Sequence, residues 1–486
     1  MKKKVNIVTT ITQQNQLNDV QNLPFSVRLI ELRADLLQIT AAIKNSTHVP
    51  LIYVLRSKQE GGAFTGSLKE RHQLLIKASQ IFDFVELEGE RDLTLELLTA
   101  IPVEKRRISW SGTAENYSSL LQRVKKYKQV PASIYKIVID TTKHRDALSI
   151  MHLLKISNHK DVVAYAIGKT SAWTQVLAPF LGSPEVHSSI DSQDQTTLCF
   201  SPNQLIEDYG LPEVYPLEQL FGIVGNPVLG SISPNQHNIA YRALNLPYLY
   251  LPFQTEDFLS FMNEVMENSS FPIPISGVTV VAPFKRQGYL ASKYKEDSDD
   301  QTYGVCNGMI KKEQEWLSFS TDAFGAIEAL NRTMQNWSEK RIAIIGCGGT
   351  GRTIAAALKK YTSDITLVNR TFAKGVEIAA AMRLPFVTLQ EFNASDFDII
   401  IHATPLGKNP EETPFKLTDL KPDSIVIDHV YSIQRETALV KYCRLCNIKV
   451  VDGIEIARLQ INQQFTSLTA IEKPIIKTTN QNLKIN

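Results

Sequence analysis

"KRIAIIGCGGTGRTIAAAL", Lys340 to Leu358, reads as a strand, a glycine turn and a helix. The apolar run Ile342 to Ile345 gives way to Gly346, Gly348 and Gly351 at G-x-G-x-x-G spacing, with Gly349 inside the turn, and then to an alanine-rich helical stretch. Bare glycines let a backbone approach a pyrophosphate at the positive end of a helix, so the stretch predicts a Rossmann-type domain that binds a dinucleotide. The following strand, "DITLVNRT", ends in Asn369, Arg370 and Thr371 instead of the acid that would hold a ribose 2′-hydroxyl. An arginine there accommodates a 2′-phosphate, which favours NADP over NAD.

Upstream of the turn lie Lys285 in "VVAPFKRQGY" and Asp322 in "FSTDAFG". From separate loops facing a nicotinamide cleft, such a pair could exchange the proton that accompanies hydride transfer to a ketone; on spacing alone, two solvated charges are the commoner explanation. Ser231 and Ser233 in "GSISPNQHN" are hydroxyl donors for a carboxylate, or helix-capping serines before Pro234.

Toward the N-terminus the pattern changes. Apolar runs of strand length at 5–10, 27–35, 50–57, 83–90, 106–112, 134–140, 161–168 and 196–200 alternate with helical stretches such as 68–82 and 145–157. Eight strands with helical connections predict a (β/α)8 barrel with its working residues at the C-terminal strand ends. One run, "SIYKIVID" (133–140), places Lys136 inside an apolar strand. An unpartnered ammonium is costly there, so this lysine is snorkelling, ion-paired or chemically used. A Pro-rich polar stretch, 202–217, reads as a linker.

With 486 residues, 43% of them hydrophobic, the chain has room for about three domains. A formal net charge of +2 argues for neither nucleic acid nor an anionic membrane as partner and suits small metabolites. The start, "MKKKVNIVTTI", has too short an apolar run for a signal peptide, and no stretch reaches the length of a membrane span. Five scattered cysteines fit a reducing cytoplasm; Cys443 and Cys446 form a CxxC, but without a second pair or nearby histidine they read as helix thiols, and no metal is expected.

Residues 221–470 resemble shikimate dehydrogenase in eight ordered elements: "GNPVLGSISPNQHN", the "PFK" with Lys285, "GVCN" with Asn307, "STD" with Asp322, the glycine turn with "NRT", "ATPLG" with Thr404, "DHVY" with Tyr431, and "DGIEIARLQINQQF" with Gln460. The resemblance implies NADPH-dependent reduction of 3-dehydroshikimate to shikimate. It makes Lys285 and Asp322 the proton-handling pair, Ser231, Ser233 and Tyr431 the holders of the substrate carboxylate, and Asn307 and Gln460 the binders of ring hydroxyls. The chain departs from the family at Gly230, Thr279, Val281 and Ser320. Val281 removes a hydroxyl donor, which leaves a related ring such as quinate as an alternative substrate.

Residues 1–210 resemble a type I 3-dehydroquinate dehydratase. "IELRAD" supplies Glu31, Arg33 and Asp35 on one strand face, "LRSKQEGG" supplies Arg56 and Glu60, and "IYKIVI" supplies Lys136. In that family the strand lysine forms a Schiff base with the substrate ketone and a histidine moves the adjacent proton. Here the histidine position reads Ser111, in "SWS"; Gln175 and Phe200 replace an arginine and a serine. His144, Glu115 and His187 are the candidate substitutes. The expected organisation is a dehydratase-like barrel over 1–210, a substrate-binding domain over 217–335 to which a helix at 454–470 returns, and an NADP-binding Rossmann domain over 336–453, as a monomer or homodimer. The reading from another class is a non-catalytic, metabolite-sensing regulator; the intact turn, Lys285 and Asp322 speak against it.

Overall fold

Eight parallel strands build the N-terminal barrel: β1 (Asn6–Ile11), β2 (Val27–Arg33), β3 (Leu51–Val54), β4 (Phe84–Glu88), β5 (Arg106–Thr113), β6 (Ile134–Asp140), β7 (Val162–Ile167) and β8 (Glu185–Ser189). They follow the order β7-β6-β5-β4-β3-β2-β1-β8, so the sheet runs in sequence order with β8 returning beside β1. The structure is a computed structural model and describes residues 3–113, 115–157, 160–190, 200–296, 304–407, 409, 412–430 and 435–474.

One strand differs from the sequence reading. The eighth is "EVHSS" at Glu185–Ser189, not the run at 196–200, of which 196–199 lie outside the described residues. Period-two apolar patterning misses it because Glu185 and His187 turn into a charged barrel interior, where Arg107 and Glu31 receive them. Strand β2 also stops at Arg33, so Asp35 sits in the turn beyond it and not on the strand face.

The connections are helical where the apolar stripe has period 3.6. Helix α1 (Leu68–Ile81) starts on a reciprocal cap between Ser67 and Glu70 and buries Leu75 and Ala78; α2 (Tyr117–Tyr127) starts on the Asn116 side chain and buries Leu120 and Val124. Helix α3 (His144–Ser157) follows β6.

The chain divides after Ser276 into two compact units, Met1–Ser276 and Gly277–Asn486. The first ends with the parallel pair β9 (Gln219–Gly225) and β10 (Tyr248–Gln254), joined by α4 (Ser233–Ala243). Strand β11 (Ile275–Val280) holds the division point.

In the second unit, β12 (Gly308–Lys312) and β13 (Glu315–Phe319) form an antiparallel hairpin. Then come β14 (Ile342–Ile345), β15 (Ile365–Asn369), β16 (Phe386–Thr388), β17 (Ile399–His402), β18 (Ile425–Asp428) and β19 (Lys449–Val451), all parallel in the order β16-β15-β14-β17-β18-β19. That is the doubly wound order the glycine turn predicts, with the reversal between β14 and β17. Among the helices of the unit, α5 (Lys285–Ala291), α6 (Asp322–Thr333), α7 (Gly349–Leu358) and α8 (Gly453–Thr469) bear on the site. Leu330 of α6, Leu358 of α7 and Leu459 of α8 share one buried cluster with Ile342 and Ile344, so the last helix folds back onto the helix that Asp322 begins.

Candidate active sites

Lys285 is the first residue of α5 and Asp322 the first of α6, so two helix starts bring them together. The Lys285 ammonium is ion-paired to Asp322 Oδ2 and donates to Thr350 Oγ1 at 2.9 Å. The other carboxylate oxygen, Oδ1, accepts from Asn307 Nδ2 at 2.9 Å and from Gln460 Nε2 at 3.3 Å. Asn307 is itself fixed, because its Oδ1 accepts from the Thr321 N–H at 2.8 Å. Asp322 is buried, and a first-turn position suits a carboxylate because the unpaired helix N–H groups there carry positive partial charge. Three residues scattered from 285 to 460 therefore converge on the carboxylate of Asp322. Ser231 and Ser233 stand at the start of α4 in the first unit, where Ser231 Oγ accepts from the Ser233 N–H at 3.2 Å. Tyr431 lies outside the described residues.

The nucleotide turn meets the demands of a pyrophosphate cradle. Gly346 adopts φ 112°, and a Cβ there would lie 2.7 Å from Ala403 O. At Gly351 a Cβ would stand 1.8 Å from Gly346 O, so strand and helix close on each other there. Around Gly348 a Cβ would meet nothing within 4 Å, which leaves open space against the start of α7. Gly349 faces the stem of Lys285, whose Cδ would be 3.6 Å from its Cβ. Asn369 Oδ1 accepts from the Cys347 N–H at 3.2 Å, tying β15 to the turn, while the exposed side chains of Arg370 and Thr371 at the end of that strand have no partner among the described residues. These residues fit an NADP molecule: glycines for the diphosphate, Arg370 and Thr371 for a 2′-phosphate.

Sequence reasoning passed over a network below the turn. His402 Nδ1 lies 2.9 Å from Asp428 Oδ1 and its Nε2 2.6 Å from Thr404 Oγ1, while Thr437 donates to Asp428 Oδ2 at 2.7 Å. This buried chain positions Thr404. The adjacent His429 is driven down to about 4, by burial first and by the Lys285 charge against the pull of Asp322 and Asp428. The polar residues ending the two apolar strands "IIIH" and "IVIDH" were the available signal. Cys443 is buried and Cys446 exposed, both as free thiols.

In the barrel, Lys136 is fully buried on β6, with Nζ 2.7 Å from Glu31 Oε2 and 2.5 Å from Glu86 Oε2. Burial raises the Glu31 carboxyl, but Lys136, His187 and Arg56 overcome it and hold the group well below the usual carboxylate range. Arg56 contributes its charge to Glu31 and Glu86. Arg33 behaves differently: its guanidinium forks onto Asp35 at 2.8 and 2.7 Å. Glu86 was not singled out in the sequence, although period-two spacing with Glu88 put two acids on one strand face.

The register sorts the surrounding groups by depth. Ser109 on β5 pairs with Lys136. Two residues toward the N-terminal end, Arg107 grips Glu185 at 2.9 and 2.5 Å, and His187 touches this floor, 3.6 Å from Glu185 and 3.7 Å from Glu31. Two residues toward the C-terminal mouth, the Ser111 N–H donates to Glu60 Oε2 at 2.8 Å. Of the other candidate substitutes, Glu115 is held by Arg123 at 2.6 Å, and His144 is buried edge-on to Phe261 at 4.9 Å. Gln175 donates to Ala166 O at 3.4 Å and Phe200 packs against Tyr209, so both changed positions are taken up by packing.

Comparison with known proteins gives three family matches in chain order: type I 3-dehydroquinase over residues 6–209, shikimate dehydrogenase substrate binding domain over 223–307, and shikimate/quinate 5-dehydrogenase over 328–410. A bifunctional 3-dehydroquinate dehydratase/shikimate dehydrogenase, chloroplastic, from Arabidopsis thaliana is 24% identical over 489 residues, 92% of this chain and 78% of the relative. A shikimate dehydrogenase (NADP(+)) from Methanocaldococcus jannaschii is 31% identical over 271 residues, 53% of this chain and 93% of the relative. Among solved structures, the dehydroquinate dehydratase and shikimate dehydrogenase from S. pombe AroM spans 97% of both chains at 18% identity, with a TM-score of 0.43. Among the described residues no helix is long and apolar enough to cross a membrane, and no cluster of ligating side chains could hold a metal ion.

Proposed function

The chain belongs to the shikimate dehydrogenase family and carries an N-terminal type I 3-dehydroquinase barrel, and on that footing we propose that it works at two consecutive steps of the shikimate pathway. The C-terminal half reduces 3-dehydroshikimate to shikimate with NADPH. The barrel takes 3-dehydroquinate as a Schiff base on Lys136 and dehydrates it to 3-dehydroshikimate.

The observation that carries the first activity is the Lys285–Asp322 pair tied to the nucleotide turn through Thr350. When bound, NADPH supplies the hydride for the ketone carbon. The Lys285 ammonium then gives its proton to the oxygen as negative charge develops there, and Asp322 holds the ammonium in place. Asn307 and Gln460, already on Asp322, have amide groups suited to ring hydroxyls. Ser231, Ser233 and Tyr431 keep the carboxylate-holding roles that the resemblance gives them, and Gly346, Gly348, Gly349, Gly351, Asn369, Arg370, Thr371 and Thr404 keep the cofactor roles. The division into 1–210, 217–335 and 336–453 belongs to the same reading, as does a cytoplasmic monomer or homodimer acting on free metabolites.

In the barrel, Glu31 and Glu86 hold the Lys136 ammonium until substrate enters. Attack on the ketone requires the neutral amine, so the ammonium gives up its proton before it reacts. Steady-state assays test the whole reading. NADPH oxidation with 3-dehydroshikimate is expected, falling by about 10²-fold or more in Lys285→Ala. Borohydride in the presence of 3-dehydroquinate is expected to add the reduced ligand to Lys136. A faster rate on quinate than on shikimate would overturn the substrate assignment.

A further inference from the structure

We propose that Glu60 is the general acid–base of the barrel, occupying in this chain the place that Ser111 leaves open. The inference rests on the reading of Lys136 as a Schiff-base residue and adds the group that moves the proton.

The geometry carries it. Glu60 ends a short 3-10 turn after β3 and is anchored by one oxygen only, Oε2 on the Ser111 N–H; Oε1 has no hydrogen-bond partner among the described residues. Strand β4 ends opposite Ser109, so Ser111 has lost its neighbour on that side, and Glu60 stands where the ladder stops. Ser111 lies one side-chain period above the register partner of Lys136, about 6.6 Å along the strand and ~4.8 Å across. A six-membered ring attached to Lys136 spans that gap toward the mouth. His187, the remaining base in contact with the cluster, lies on the opposite side, in the floor and fully enclosed.

The charge environment suits the role. Glu60 is raised to about 8, by burial first and then by Glu88 and Glu86, against the Ser111 N–H and the Arg56 charge; Arg71 is the other cation that feels it. A carboxyl poised near the working pH can both take and return a proton, which a histidine does elsewhere.

The step balances. The Glu60 carboxylate takes the proton from the carbon next to the Schiff-base carbon, and the C–H electron pair becomes the enamine. The enamine pushes out the hydroxyl one carbon further on, which leaves as water with the proton from Glu60. A second water hydrolyses the imine, freeing 3-dehydroshikimate and the lysine amine.

The test uses the full chain and its Glu60→Gln and Glu60→Asp variants. Borohydride trapping at Lys136 is read by mass spectrometry, and dehydration of 3-dehydroquinate is followed between about pH 6 and 9.5. Expected are equal trapping in all three, parent turnover that rises with pH through a midpoint near about 8 and levels off above it, and a loss of at least about 10²-fold in Glu60→Gln with partial retention in Glu60→Asp. Glutamine keeps the acceptor for the Ser111 N–H, and intact trapping shows that the barrel has folded. The proposal is overturned if Glu60→Gln turns over within about threefold of the parent, or if the parent traps substrate but neither dehydrates it nor exchanges its C–H with deuterated solvent. Absence of trapping in the parent removes the Schiff-base reading itself and the proposal with it.

Discussion

The Nζ of Lys285 donates to Thr350 Oγ1 at 2.9 Å, so the proposed proton donor is tied to the first turn of the helix that follows the glycine turn. Thr350→Val keeps the shape and removes the acceptor. A hydrogen bond to a charged group contributes about 1.5–3 kcal/mol, so kcat for 3-dehydroshikimate reduction should fall about 10- to 100-fold. The melting temperature should change little, because Thr350 is only partly buried.

Gly348 and Gly351 occupy the same turn and should respond in opposite ways to an added methyl. Gly348→Ala meets open space at φ −76°, so the chain should fold normally and instead show a raised KM for NADPH, since the methyl fills the phosphate cradle. Gly351→Ala places its Cβ 1.8 Å from Gly346 O and should lose both stability and cofactor binding. Thermal melts beside NADPH titrations separate the two outcomes.

Arg370 is exposed at the end of β15 with no side-chain partner among the described residues, so it is available to a 2′-phosphate. Arg370→Ala should raise KM for NADPH by about 10- to 100-fold, the worth of a charged hydrogen bond, with much less effect on NADH. Equal loss with both cofactors would remove the 2′-phosphate role.

The barrel interior should be sensitive to charge deletion and to acid. Lys136→Ala leaves Glu31 and Glu86 facing each other without their cation and should cost about 3–5 kcal/mol in denaturant unfolding. Glu185 supplies the pH dependence. Burial opposes its ionisation, but Arg107 and His187 bring it down to about 2, below the ordinary value near 4.3 of an unfolded chain. Its folded value is the lower one, so its contribution is present above about pH 4.3 and is lost as the pH falls toward 2. Unfolding midpoints should drop through that window, and Glu185→Gln should flatten the drop while lowering stability at neutral pH.

Much of this was legible in the chain itself. The glycine turn announced β14, α7 and the order of the last sheet, because a phosphate-binding turn leaves few choices of residue. Lys136 was visible as a charge out of place. The eighth barrel strand was not, because its inward residues are Glu185 and His187 and the alternation of apolar with polar gives no clue when the interior is itself charged. Glu86 and the His402–Asp428–Thr437 chain stayed hidden for a related reason: a polar residue in a strand announces a partner without saying which one.

The sequence by itself determined that there is a barrel followed by a nucleotide fold, and which lysine and aspartate are chemically available. Local patterning and turn chemistry are written in neighbouring residues, and those neighbours suffice. Only the tertiary structure decided what each charge answers to. Lys136 meets Glu31 and Glu86 across 105 and 50 positions of chain, Arg33 turns aside to Asp35, and Glu60 reaches the open edge beside Ser111. Register and barrel closure set those distances, and electrostatic interaction depends on distance in space, not on separation along the chain.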